Sequence, residues 1–169
     1  MYEHITIYRK NRKMAVTQEY MNGSNVLFSV GGKGLGHSTT HSVTFNTETK
    51  ERGVKPPMKE KTKKALFSGK GVTKMSISVH GEGFRYKGEE ELSLDEVRKL
   101  WGAGQSVELS CFEREGDATP YLKGKFVITK VEETSPAQDD ATFTVDFEND
   151  GEPEVYPGQT AATDPGHGG

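Results

Sequence analysis

Residues 141–148 read Ala-Thr-Phe-Thr-Val-Asp-Phe-Glu, and this octet decides the fold class. Phe143, Val145 and Phe147 alternate with Thr142, Thr144 and Asp146. Successive side chains of a strand point to opposite faces, so this rhythm specifies a strand buried on one side. The rhythm recurs upstream. Residues 121–133 set Phe126 and Ile128 on one face and Val127 and Val131 on the other, and residues 106–113 align Val107, Leu109 and Cys111. In 72–81, Met75, Ile77 and Val79 alternate with Lys74, Ser76 and Ser78; in 37–47, Val43 and Phe45 oppose Ser42 and Thr44. Residues 25–30 make a further short strand. Turn chemistry separates these runs at Asn22-Gly23-Ser24, at the glycine-rich 31–36, at Gly116-Asp117 and at Ser135-Pro136.

One stretch breaks the alternation with a helical signature. Ser93-Leu94-Asp95-Glu96 is a capping box, in which the Ser93 hydroxyl takes the Glu96 amide and the Glu96 carboxylate reaches back to Ser93. Leu92 and Val97 have the spacing of a hydrophobic staple. Leu94, Val97, Leu100 and Trp101 form one apolar stripe, and Gly102 or Gly104 supplies the stop. The sequence therefore predicts a mainly β domain with one short α-helix, an antiparallel β-sandwich or distorted barrel, with the helix packed on a sheet or closing an end.

Composition narrows the function classes. The chain has 169 residues, 28% charged and 32% hydrophobic, enough for one domain with polar ends. No apolar run approaches the roughly 20 residues of a membrane span. Met1 to Met14 is basic without an apolar segment to follow, unlike a secretory signal, and Cys111 is the only cysteine, so no disulfide framework forms within one chain. A cytosolic birthplace follows. The net charge of -3 conceals an asymmetry: residues 1–85 carry 15 Lys and Arg against 6 acids, and residues 86–169 carry 7 against 19. Opposed charge of this kind is either ordinary solvated surface or a basis for head-to-tail self-association.

Residues 1–22 read as an arm, with an alternating piece at 4–8 and then Arg9-Lys10-Asn11-Arg12-Lys13. From 48 to 71 alternation fails. This stretch holds Lys50, Arg52, Lys55, Lys59, Lys61, Lys63, Lys64 and Lys70, with Pro56-Pro57 opposing ladder pairing. It is expected to be a long loop, and loops beyond about 12–15 residues are usually functional or disordered. Nucleic-acid grips interleave aromatics with cations, and here only Phe67 is present, so an arm contacting an acidic neighbour is the better reading. Beyond Asn149 the chain turns to Gly, Pro, Asp and Thr and is expected to be disordered.

No catalytic or ligand motif survives a spacing test. Gly31–Gly36 lacks the phosphate-loop pattern, because Leu27 stands where its first Gly belongs and Gly34 follows Lys33. The dinucleotide pattern fails at His37. His37 and His41 on a strand lie about 13 Å apart, too far to share an ion. His80 has no evident acidic partner and reads as an ordinary surface histidine. Glu89-Glu90-Glu91 and Glu132-Glu133 read as solvated charge, and Cys111 as a packed core residue. No catalytic residue, metal ligand or cofactor is expected.

The order of these pieces resembles the major tail proteins, or tail tube proteins, of long-tailed phages. The resemblance rests on Asn22-Gly23-Ser24-Asn25-Val26-Leu27-Phe28, then Gly31-Gly32-Lys33-Gly34-Leu35-Gly36-His37-Ser38, and the exit Thr47-Glu48-Thr49-Lys50-Glu51-Arg52. It continues through a lysine-bearing loop (Lys55), Met75-Ser76-Ile77-Ser78-Val79, Gly81-Glu82-Gly83-Phe84, the helix end at 100–104, and Tyr121, Gly124, Ile128, Thr129 and Glu132. It covers about residues 20–148 and ends with the strand at 141–147. Members often start near Met14-Ala15, which leaves residues 1–13 as an added arm or an upstream start.

The resemblance implies a virion tail subunit assembled in the host cytoplasm, forming hexameric rings stacked head to tail around a lumen for phage DNA. Its further partners would be the tape measure and tail terminator proteins, with no membrane and no cofactor. The domain plan is an arm at 1–19, the tail-tube domain at 20–148 with its basic loop at 48–71, and a tail at 149–169. In that plan the eight cations of the loop, from Lys50 to Lys70, contact the neighbouring ring or subunit. Two other readings stand beside it: the inner tube of a contractile tail or injection system, and a monomeric β-barrel that binds nucleic acid or a small ligand.

Overall fold

The computed structural model describes residues 23–52, 69–113 and 119–159. The strands are β1 (Val26–Val30), β2 (Lys33–Gly34), β3 (Ser38–Arg52), β4 (Gly69–Phe84), β5 (Val107–Glu113), β6 (Leu122–Thr134) and β7 (Thr142–Asn149), with α1 (Leu94–Ala103) between β4 and β5. They form one sheet in the order β2-β1-β5-β6-β7-β4-β3, and every strand pair is antiparallel.

The octet that opens the sequence argument occupies an interior strand. Phe147 pairs with Val79 of β4 and Ile128 of β6, and Val145 with Gly81 and Val131. Phe143, Val145 and Phe147 are buried, together with Val107, Leu109 and Cys111 of β5, Phe126 of β6 and Phe28 and Val30 of β1. Burial pushes the Cys111 thiol up to about 12, as expected of a packed and unreactive cysteine.

The sheet curls until its ends approach. Phe28 meets Phe147 edge-on, with ring centroids 6.3 Å apart, and lies tilted against His41 of β3 at 5.3 Å. Gly81 permits this closeness: a Cβ there would stand 2.7 Å from Phe28 Cζ and 3.0 Å from Leu35 Cδ2. Gly31 and Gly32, with φ of 60° and 83°, form the two-residue turn joining β1 to β2. Positive φ at both centres matches the twist of the flanking strands.

α1 lies on the core side of the sheet with Leu94 and Val97 buried and Leu100 partly so. Both halves of the capping box form, and Gly104, at φ 64°, ends the helix. Glu133 of β6 accepts from Arg85 at 2.5 Å and from Arg98 of α1, tying the helix to the sheet. The Ser93→Ala variant is expected to lose about 1 kcal/mol in urea denaturation, since it strips the Glu96 amide of its acceptor.

Four expectations need correction. A register shift between Ile128 and Lys130 brings Val131 to the core side with Ile128, not to the face of Val127. Trp101 leaves the apolar stripe and is 57% exposed. The alternation does not end at 48: β3 runs to Arg52 and β4 begins at Gly69, so Lys50, Arg52 and Lys70 stand on paired strands and not in a loop. Exposed polar residues fill 48–52 on both faces and Gly69, Lys70 and Gly71 oppose the last three, which erases the periodicity by which a strand is recognised. Finally, residues 150–159 are not disordered. Val155 bridges Lys123, Pro153 is buried over Gly124, and Tyr156 packs against the core.

Candidate assembly surfaces

β7 pairs with β4 only from Ser78 to Phe84. Beyond that point β3 and β4 continue as a two-stranded ribbon, from Phe45↔Ile77 out to Arg52↔Gly69. A lone pair of strands is marginal in water without a third partner. This one carries large exposed apolar side chains: Phe45 at 53%, Val72 at 60% and Met75 at 68%. Phe45 and Met75 border a 500 Å³ cleft closed on its far side by Pro153, Tyr156 and Pro157.

The ribbon brings together three of the expected contact residues. Lys50 pairs with Gly71, Glu51 with Lys70 and Arg52 with Gly69, all at its far end. The Arg52 guanidinium lies over Gly71, whose missing side chain makes room for it. Lys55, Lys59, Lys61, Lys63 and Lys64 lie outside the described residues.

The face of the sheet opposite the core is polar. β3 presents Thr40, Ser42, Thr44 and Asn46, β4 presents Ser76, Ser78, His80 and Glu82, and β7 presents Thr144, Asp146 and Glu148. His80 is not the unpartnered histidine that the sequence suggests. Its Nδ1 hydrogen-bonds to Asp146 across the strand pair, and its Nε2 lies 3.1 Å from Glu82 Oε1. The bond to Asp146, with Glu82 adding to it, raises the imidazole above its ordinary value. Asp146 is 66 residues away in sequence, and only the register reveals it.

A raised folded-state value stabilises the fold below the unfolded value, about 6.5, and that contribution fades as pH rises through the folded value. Parent protein is therefore expected to exceed His80→Gln in stability at pH 5.5 and to lose that lead by pH 8.5 in thermal melts. A pH-independent difference would show that the charged imidazole contributes nothing. Among the described residues no group of three or more His, Cys, Asp or Glu is arranged to hold a metal ion.

The molecule is a mainly antiparallel sheet with one helix on its core face, a polar opposite face and a projecting ribbon with exposed apolar side chains. The profile of the phage tail tube protein family matches residues 21–155, and the chain belongs to that family, as a structural subunit of a phage tail tube. No curated protein matches it in sequence. Among solved structures, the tail of an empty gene transfer agent particle, refined with C6 symmetry, superposes with a TM-score of 0.64 at 14% identity, covering 80% of this chain and 98% of that one. A subunit of the native gene transfer agent virion gives 0.62 at 16%, covering 79% and 97%. The SPP1 tail tube gives 0.53 at 12%, covering 77% and 76%. These likenesses place the fold.

Proposed function

We propose that the chain polymerises as hexameric rings stacked head to tail around a channel through which phage DNA passes into the host, with no catalytic role. The observation that carries this reading is the family match over residues 21–155. The C6 symmetry of the gene transfer agent tail supports the ring size. Tape measure and tail terminator proteins complete the set of partners, and assembly takes place in the host cytoplasm.

The hydroxyl-rich face of β3, β4 and β7 suits the channel wall. Its helix-free side leaves it uncovered, and Thr, Ser and Asn offer short, uncharged contacts to a moving polyanion. Glu82, Asp146 and Glu148 add repulsion of phosphates, so the genome is not gripped. The β3–β4 ribbon and the cations at its end, Lys50, Arg52 and Lys70 with the lysines beyond, meet the neighbouring subunit or ring, whose acidic residues come from the C-terminal half.

Negative-stain microscopy of the purified chain at rising concentration, with light scattering, tests the reading: rings or hollow tubes are the expected result. Replacing Lys59, Lys61, Lys63 and Lys64 by Glu is expected to block polymerisation and leave the monomer folded. Normal tubes from that variant would remove the basic segment from the interface.

A further inference from the structure

The ribbon leaves the sheet at a fork, and one side chain stands in it. Ser78 pairs with Glu148, so in the same register the next rung of the β4–β7 ladder falls between Ile77 and Asn149. The main chain of Asn149 stays with β6, opposite Phe126, and its side chain supplies that rung. Asn149 Oδ1 accepts from the Ile77 amide at 2.7 Å, and Asn149 Nδ2 donates to the Gly151 carbonyl, also at 2.7 Å. A side-chain amide reaches farther from its strand than a main-chain carbonyl, so this rung closes across strands that have begun to splay.

Both prongs of the fork start here. Beyond Ile77, β4 pairs with β3 alone among the described residues. On the other side Gly151, with φ 79°, turns the chain, Pro153 is buried over Gly124, and Val155 rejoins β6 at Lys123. The cleft bordered by Phe45, Met75, Pro153 and Tyr156 lies between the prongs. Asn149 holds both of them with one side chain: the ribbon through its oxygen, the returning chain through its nitrogen. With both polar atoms engaged, the amide is fixed in orientation.

A two-stranded ribbon has little stability of its own, and an arm already held at its docking angle gives up less freedom when it binds. We infer that Asn149 is a positioning residue for assembly: its hydrogen bond to Ile77 sets the angle at which the ribbon leaves the sheet and so presents Phe45 and Met75 to a neighbouring copy. The neighbouring copy rests on the tube reading; the latch rests on the fork alone.

The Asn149→Ala variant tests both halves, by hydrogen exchange on the monomer and by tube growth. At a concentration where light scattering gives a monomer, the Ile77 amide is expected to exchange about tenfold faster than in the parent, with those of Val145, Phe147 and α1 unchanged. The lowest concentration that gives tubes is expected to rise about fivefold, the effect of one lost hydrogen bond. Asn149→Asp keeps an acceptor for the Ile77 amide and is expected to restore both readings towards the parent's. Should the Ala variant not fold, Asn149→Ser, whose hydroxyl is too short for the Ile77 amide, replaces it with the same expectations.

Unchanged exchange at Ile77 overturns the latch, and so does faster exchange spread evenly over β6 and β7, which would make Asn149 a general support of the sheet. Tubes at the parent's concentration despite faster exchange at Ile77 overturn the positioning role and leave the tube reading intact. A parent that forms no tubes overturns the tube reading and the assembly half with it, while the exchange still decides the latch.

Discussion

Phe45→Asp/Met75→Asp is expected to form no tubes at concentrations where the parent polymerises, while its melting temperature stays within a few degrees of the parent's. The two side chains are 53% and 68% exposed, so the monomer gains little from them. They stand where β3 and β4 pair only with each other, opposite Ile77 and Thr47, along a ribbon that overhangs the sheet. An interface that buries such a ribbon removes both apolar side chains from water, worth about 1.5–3 kcal/mol for each fully buried side chain. Two buried carboxylates in their place cost several kcal/mol more, because a charge without a partner is poorly tolerated in a dry contact. In the proposed stack of rings the contact recurs in every ring, so the loss is multiplied along the polymer. Microscopy with light scattering reads the result. Tubes of normal length from the variant would place the ribbon outside all subunit contacts.

Phe147→Ala is expected to destabilise the monomer by about 3–5 kcal/mol, the largest effect of any single substitution considered. Phe147 is fully buried, its ring meets Phe28 across the curl, and its backbone neighbours are Val79 and Ile128. Truncation therefore opens a cavity where three parts of the sheet converge, and β7 and β4 cannot collapse into it without breaking their pairing. For a domain of this size the loss corresponds to a fall of about 10 °C in melting temperature. A loss below about 1 kcal/mol would mean that the curl does not depend on this contact.

Much of this was legible because the signals are local. The capping box at Ser93 and Glu96 needs only its own four residues, and the alternation of 141–148 needs only one face to be buried. The departures arise where a distant partner decides. Nothing near Val131 announces the register shift before Lys130, and it is the pairing of Lys130 with Asp146 and Val131 with Val145 that reveals it. His80 reads as solitary until β7 is laid beside β4. The cations at Lys50, Arg52 and Lys70 resemble a loop because the far end of the ribbon, 48–52 against 69–71, holds no apolar side chain and has no hydrophobic period to display. Likewise Pro153 and Val155 lie in turn-rich sequence, yet they are held by Gly124 and Lys123, about 30 residues earlier in the chain.

The pairing of β1 with β5 has a kinetic consequence. Val26 meets Glu113 and Val30 meets Leu109, so one end of the sheet is joined only after nearly the whole intervening chain is in place. Loop closure over such separations is slow relative to helix or hairpin formation, and sheets built from distant strands fold in milliseconds to seconds. The β3–β4 hairpin, by contrast, closes between neighbours in sequence. During that interval a long unprotected strand edge exists before the rest of its domain, and it meets other nascent chains in proportion to their concentration. Slow synthesis or low temperature should therefore raise the yield of soluble subunit more than any change to the surface of the finished fold.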